Sequence, residues 1–158
     1  TDLGPGRKAG ISWRGGSHLT RTRSRSLATE DWAPILGTPG CRFVNLQYGN
    51  YLPELADINA RFGNVVHDYP EALTDYDETA ALVAALDQLV TVCTAIVHLG
   101  GSLGRPVWVL VPFSPGWRYT VERDRMPWYP STRLFRQSSL GDWDAPVRAL
   151  AAELAAVT

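Results

Sequence analysis

Cysteine is scarce in this sequence: Cys41 and Cys93 stand far apart, each in apolar surroundings. That pattern gives neither a disulfide framework nor metal-ligand spacing, and it points to a reducing cytoplasm. No apolar run reaches the roughly 20 residues needed to span a bilayer, because Asp87, Gln88 and His98 interrupt the longest candidate. A net charge of −1 supplies no bulk field that would call for nucleic acid or a membrane surface. The commonest phosphate signatures are missing as well. No Gly-Lys-Ser/Thr follows Gly15 and Gly16, so there is no P-loop, and the glycine spacing is not that of a dinucleotide fingerprint. The chain opens on Thr1 rather than Met. That suggests a piece of a longer protein, with loss of the initiator Met as the alternative.

What is present is a size and a rhythm. At 158 residues the whole chain, 1–158, fits one domain with a real core. The most informative stretch is Leu89 to Val111. Leu89 to Val92 reads as a strand, Thr94 to Leu103 as a helix stopped by Gly104 and Pro106, and Val107 to Val111 as a second buried strand. This is a βαβ unit with parallel strands. The rest alternates in the same way. Strands are expected at Lys8–Trp13, Arg42–Leu46, Val65–Val66 and Leu134–Phe135. Helices are expected from Ser26 or Thr29 to Leu36, at Pro53–Phe62, at Tyr76–Leu86 behind Asp75 and Asp77, and at Trp143–Val157 behind Asp142. Such alternation argues a three-layer, Rossmann-like α/β domain with a parallel sheet. Ligands of these sheets bind beyond the carboxyl ends of the strands. One rim should therefore gather Arg14-Gly15-Gly16, Gln47-Tyr48-Gly49, Tyr69 to Asp75, Cys93-Thr94 and Phe113 to Arg118.

Several residues on that rim could carry chemistry. Six basic residues (Arg7, Lys8, Arg14, Arg21, Arg23, Arg25) and His18 lie between positions 7 and 25 without an acid, which suits an anionic ligand or simply a solvated basic loop. Arg14, Gly15 and Gly16 read either as a phosphate-accepting turn or as a tight turn with an exposed Arg. Arg25 could reach phosphate oxygens near a helix start, or lie on the surface. Cys93 and Thr94 stand where a strand end meets a helix N-terminus, a place with unpaired amides and partial positive charge. His98 lies one turn on, either packed or donating to a diphosphate or sugar hydroxyl. Cys93 reads as a small buried residue in preference to a nucleophile. Six tryptophans are many for this length, and Trp128 and Trp143 read as loop anchors.

Taken together, these residues form a known pattern. The carrying segments are Gly10-Ile-Ser-Trp-Arg-Gly-Gly16, Arg25-Ser-Leu27, Phe43-Val-Asn-Leu-Gln47, Asp75 to Asp87, Thr94-Ala-Ile-Val-His98 through Leu103-Gly-Arg-Pro106, Trp117-Arg118, Trp128-Tyr-Pro130, Leu134-Phe-Arg-Gln137 and Gly141-Asp-Trp143. The chain resembles the C-terminal, nucleotide-sugar-binding half of GT-B glycosyltransferases. The nearest likeness is the glycosyltransferase-like domain that follows tetratricopeptide repeats in bacterial proteins, a group related to the ADP-heptose lipopolysaccharide heptosyltransferases. The resemblance implies that Thr94, Ala95 and His98 meet the donor's diphosphate and sugar, that Arg25 binds phosphate, and that Gln47 lies near the ribose. It implies that backbone around Leu73 and Thr74 holds the base. Cys93 occupies a position where the family has Asp.

The expectation is then a cytoplasmic, metal-independent, donor-binding domain that takes a nucleotide-diphosphate sugar without a further cofactor. The resemblance places the acceptor site, and commonly the catalytic base, in an N-terminal GT-B domain absent from these residues. The catalytic residues are thus unassigned, and the chain is not expected to transfer sugar alone. The competing reading is a non-catalytic nucleotide-binding or scaffold module beside tetratricopeptide repeats. Asp75-Tyr-Asp77 has the spacing of a metal motif but reads as acids favoured at a helix start.

Overall fold

β-Branched and other apolar residues fill the central strands, and each strand shows one set of side chains to each face. In the computed structural model, residues 3–16 and 22–158 are described, less the side chains of Thr22 and Arg23. His18 and Arg21 of the basic cluster lie outside the described residues. The strands are β1 (Arg7–Ser12), β2 (Cys41–Asn45), β3 (Val66–His67), β4 (Gln88–Val92), β5 (Val107–Val111), β6 (Arg125–Met126) and β7 (Tyr129–Arg136). They form one sheet in the order β3-β2-β1-β4-β5-β7-β6. Every pairing is parallel except β6 with β7. The parallel part has the doubly wound order of a Rossmann fold, with β7 in the sixth place.

Alternation along the strands builds two cores. Ala9, Ile11, Phe43, Val90, Val92, Leu110 and Phe135 face α1 (Ala33–Leu36), α2 (Leu52–Phe62) and α5 (Asp144–Ala156), where Ile35, Ile58, Leu150 and Leu154 are buried. Val44, Leu46, Leu89, Val107, Val109 and Leu134 face α3 (Tyr76–Ala84) and α4 (Ala95–Ser102). This is the expected three-layer α/β domain.

Local departures have local causes. The helix expected from Ser26 or Thr29 breaks into a 3₁₀ turn at Thr29–Trp32 and the single turn of α1. Neither side chain caps it, because both have partners elsewhere. The Ser26 hydroxyl accepts from the Gly15 amide at 3.2 Å, and the Thr29 hydroxyl donates to Asp57. The last strand runs for eight residues instead of two, and its first residues fold back on β6 as a hairpin. Tyr129-Pro-Ser131 had concealed the pattern, since proline is unusual in a strand away from an edge. Trp143 is half-buried against the α5 core, as an anchor should be. Trp128, the other expected anchor, is 56% exposed and meets Trp117 edge-on at 5.9 Å.

β1 and β4 are neighbours, and the chain leaves them toward opposite sides: β1 leads on to β2, β4 to β5. A crevice opens at such a switch point. Gln47, buried just past β2, fixes its edge. Its Oε1 accepts from the Ser12 hydroxyl (3.1 Å) and from the amides of Trp13 (3.1 Å) and Arg14 (2.8 Å). Gln47→Ala would strand these donors below the surface. Unfolding in urea should show a loss of about 1–3 kcal/mol, the cost of unsatisfied buried polar groups. An unchanged midpoint and slope would mean the latch contributes nothing.

Candidate functional site

The loops after β1, β2, β4 and β5 converge on the crevice. Gly16, Arg25, Tyr48, Thr94, Ala95, His98, Arg118 and Tyr119 line a cavity of about 500 Å³. Beside it lies a second cavity of about 430 Å³, lined by Leu46, Tyr48, Leu73, Thr74, Asp75, Tyr76, Thr79, Ala95 and Ile96. Tyr48 and Ala95 belong to both. On the other side, His98 and Arg118 also line an aromatic notch of about 240 Å³ with Trp117, Trp128 and Tyr129. The three form a trough: an apolar end, a basic middle and an aromatic end.

The middle is built for negative charge. Thr94 caps α4, its Oγ1 accepting from the Ile96 amide at 3.2 Å. The Thr91 hydroxyl donates to the Val92 carbonyl, so Thr94 is the donor in the 3.3 Å pair between the two threonines. The cap takes the Ile96 amide and the Thr94 carbonyl takes that of Val97 at 3.2 Å, so the start of α4 meets the cavity through Thr94, Ala95 and the positive end of the helix dipole. Arg25 and Arg118 add two cations, and among the described residues no carboxylate lines this central part.

Close packing sets the position of Arg25. A Cβ on Gly15 would lie 2.7 Å from the Cys93 carbonyl and 3.1 Å from that of Arg25. The side-chain-free residue therefore lets β1's exit touch β4's exit. Arg25 then donates from Nη2 to the Cys93 carbonyl at 2.5 Å. His98 meets Tyr129 edge-on at 5.8 Å, and burial together with the Arg118 charge holds its pKa below the ordinary value. It is therefore neutral at pH 7, able to donate from one ring nitrogen and accept at the other.

Of the residues singled out in the sequence, Gly16, Arg25, Leu73, Thr74, Thr94, Ala95 and His98 line the trough, and Gly15 supports it from below. Arg14 turns to α2, with Nε 3.3 Å from Glu54 and Nη2 donating to the Asn50 carbonyl. Gln47 is 2% exposed and spends its amide on backbone, so it acts on the rim from behind. The basic cluster is not one patch. Arg7 and Lys8 begin β1, at the end of the sheet opposite Arg14 and Arg25. Tyr48, Arg118, Tyr119 and the apolar wall at Leu46, Tyr76 and Ile96 were not singled out as ligand contacts. All but Tyr119 nonetheless fall on an expected rim loop or on a segment that carries the resemblance. Among the described residues, no group of three or more His, Cys, Asp or Glu could hold a metal ion.

No family model matches the chain. In fold it corresponds to about half of a GT-B heptosyltransferase. E. coli heptosyltransferase WaaC with ADP superposes with a TM-score of 0.70 at 19% identity, over 96% of this chain and 45% of that one. E. coli ADP-heptose LPS heptosyltransferase II gives 0.67 at 20% identity, over 97% and 46%. In sequence, Protein FlbA of Caulobacter vibrioides is 36% identical over 156 residues, which is 96% of this chain. The chain spans about a quarter of that relative, 26% of its length. Among the described residues, no helix is long and apolar enough to cross a membrane.

Cys93 is 1% exposed, and its side chain packs in the α3/α4 core beneath the cavity. Burial pushes its thiol up to about 12, against a smaller opposing pull from the Tyr119 hydroxyl and nearby arginines. A raised folded-state value means the folded thiol keeps its proton while the unfolded one ionises near pH 9. Stability is thus intact below about pH 8.5 and falls as pH rises from there toward 12. The folded protein should resist a thiol reagent at pH 8 and yield two thiols per chain once unfolded, Cys41 being buried too. Rapid labelling of the folded protein at Cys93 would contradict this burial.

Proposed function

We infer that this chain is the donor-binding, C-terminal half of a glycosyltransferase, holding a nucleoside-diphosphate sugar along the trough. The observation that carries the reading is the basic cavity at the β1/β4 switch point, with no carboxylate among its described lining residues, flanked by an apolar cavity on one side. Two phosphates fit the middle, facing the N-terminal end of α4, Arg25 and Arg118. A flat base fits the apolar end between Leu73, Tyr76 and Ile96, and the ribose lies near Tyr48. The sugar then points toward His98 and the aromatic notch. The fold agrees with this use: E. coli heptosyltransferase WaaC, half of which this chain matches in fold, has been solved with ADP.

The chemistry would be displacement at the anomeric carbon. An acceptor hydroxyl forms the new C–O bond as the bond to the diphosphate oxygen breaks, and the diphosphate leaves with the electron pair. Negative charge grows on that oxygen in the transition state. Arg25, Arg118 and the positive end of the α4 dipole stabilise it without reorganising, the role a divalent cation plays in metal-dependent relatives. The acceptor's proton goes to a base on the other half of the enzyme. This chain alone therefore binds the donor and does not transfer the sugar.

A non-catalytic nucleotide-binding or scaffold module is the second reading, and Cys93 in the family's Asp position was its ground. Because that side chain lies beneath the cavity and not in it, the substitution leaves the cavity's lining as described. Calorimetry with UDP, GDP and ADP tests the leading reading. One of them should bind, and Arg25→Ala should weaken binding by about 1.5–3 kcal/mol, the range for a charge-assisted hydrogen bond. If none binds at millimolar concentration, the scaffold reading stands in its place.

A further inference from the structure

The loop after β5 carries Arg118 and Tyr119 to the cavity, yet little in its own sequence would hold it there. Pro112, Pro115 and Gly116 lead into one 3₁₀ turn, Trp117–Tyr119, and Trp117 is 70% exposed. What holds it is the far end of β7. Gln137 takes the start: its Oε1 accepts from the Phe113 amide at 2.9 Å. Arg136 takes the end, with Nε donating to the Arg123 carbonyl (2.9 Å) and Nη1 to the Thr120 carbonyl (3.0 Å). Its Nη2 donates to the carbonyls of Tyr119 and Arg123 and reaches the Thr120 hydroxyl at 3.3 Å. One planar fork thus gathers three backbone carbonyls from successive parts of one loop, a task that suits guanidinium and not ammonium.

The loop is strained where the fork grips it. Thr120 has φ 55° and ψ −172°, a conformation left almost entirely to glycine. A β-branched residue stays there only if its surroundings hold it. On the cavity side of the grip, Tyr119 is buried and its hydroxyl lies at the Cys93 thiol, while the Arg118 guanidinium lies over the Trp117 ring, 4.9 Å from its centroid.

We propose that Arg136 is a positioning residue: by clamping the Tyr119–Arg123 backbone it holds Arg118 over the middle of the trough, where the donor's diphosphate or sugar lies. The role in donor binding rests on the function inferred above, but the clamp itself does not. His98 reports it without any ligand, since Arg118 is the charge that acts on its imidazole.

The experiment follows the His98 imidazole by NMR against pH, and measures nucleotide-sugar affinity by calorimetry, in four proteins: wild type, Arg118→Ala, Arg136→Lys and the double variant. Arg118→Ala fixes how far the His98 pKa climbs when that charge is gone. Arg136→Lys should reproduce most of that climb and weaken the donor roughly ten- to hundred-fold, the range for a lost charge-assisted contact. In the double variant Arg136→Lys should add nothing further to either readout. Arg136→Gln serves as a second probe if Arg136→Lys does not fold: its amide cannot gather three carbonyls, so His98 should again shift upward and donor affinity fall. Thr120→Gly relieves the strained backbone with the clamp in place, so thermal stability should hold or rise and His98 should titrate as in wild type. A His98 titration in folded Arg136→Lys or Arg136→Gln that matches wild type overturns the proposal. Should His98 shift as expected while wild type binds no nucleotide, the clamp stands and the donor-binding reading falls.

Discussion

The approach of the β1 exit to the β4 exit governs this molecule. Gly15 sits against the Cys93 carbonyl with no room for a methyl group, and Arg25 donates to the same carbonyl. Two chain segments 78 positions apart are thereby fixed within van der Waals contact at the switch point of the sheet. Gly15 is needed there for space and not for an unusual φ, since its backbone is not among those with positive φ. The crevice has its floor here, and α4 begins at its edge, with Thr94 and Ala95 lining the opening. Move these exits apart and the basic middle of the trough loses its shape before any ligand contact is touched.

Around that point the polar side chains divide into two groups. Gln47, Gln137, Arg136 and Asp75 spend their hydrogen bonds on backbone: the β1 exit, the two ends of the β5 loop, and the first turn of α3. Arg25, His98, Arg118 and Tyr48 line the opening. The first group holds the β1 exit, the β5 loop and the start of α3 in place, so the second is presented on a fixed frame. Preorganisation of this kind is what electrostatic stabilisation of a leaving diphosphate requires.

The sheet was legible because a buried parallel strand leaves a plain record: Leu89–Val92 and Val107–Val111 are runs of β-branched and other apolar residues, broken only by Thr91, flanking a capped helix. The rim loops followed from the rule that ligands meet the carboxyl ends. What stayed hidden depended on distant partners. Nothing near Gln47 says that its amide is consumed by β1, or near Arg14 that Glu54 claims it. Ser26 and Thr29 carry the chemistry of helix caps, and tertiary partners took both. Arg118 and Arg136 are 18 positions apart, and only the pairing of β5 with β7 brings the loop of one to the guanidinium of the other. Trp128 misled for the opposite reason: its size suggests burial, but it meets another exposed indole instead of the core.

Everything proposed for the trough requires a nucleoside diphosphate to lie across the β1/β4 crevice. The test is a titration of the isotopically labelled domain with UDP, GDP and ADP, followed through backbone amide and arginine side-chain signals. The binding nucleotide should move the amides of Gly16, Ala95 and Ile96 and the Arg25 guanidinium together, with Leu73–Tyr76 responding to the base. Shifts confined to another surface, or none in this set with any of the three nucleotides, would contradict it.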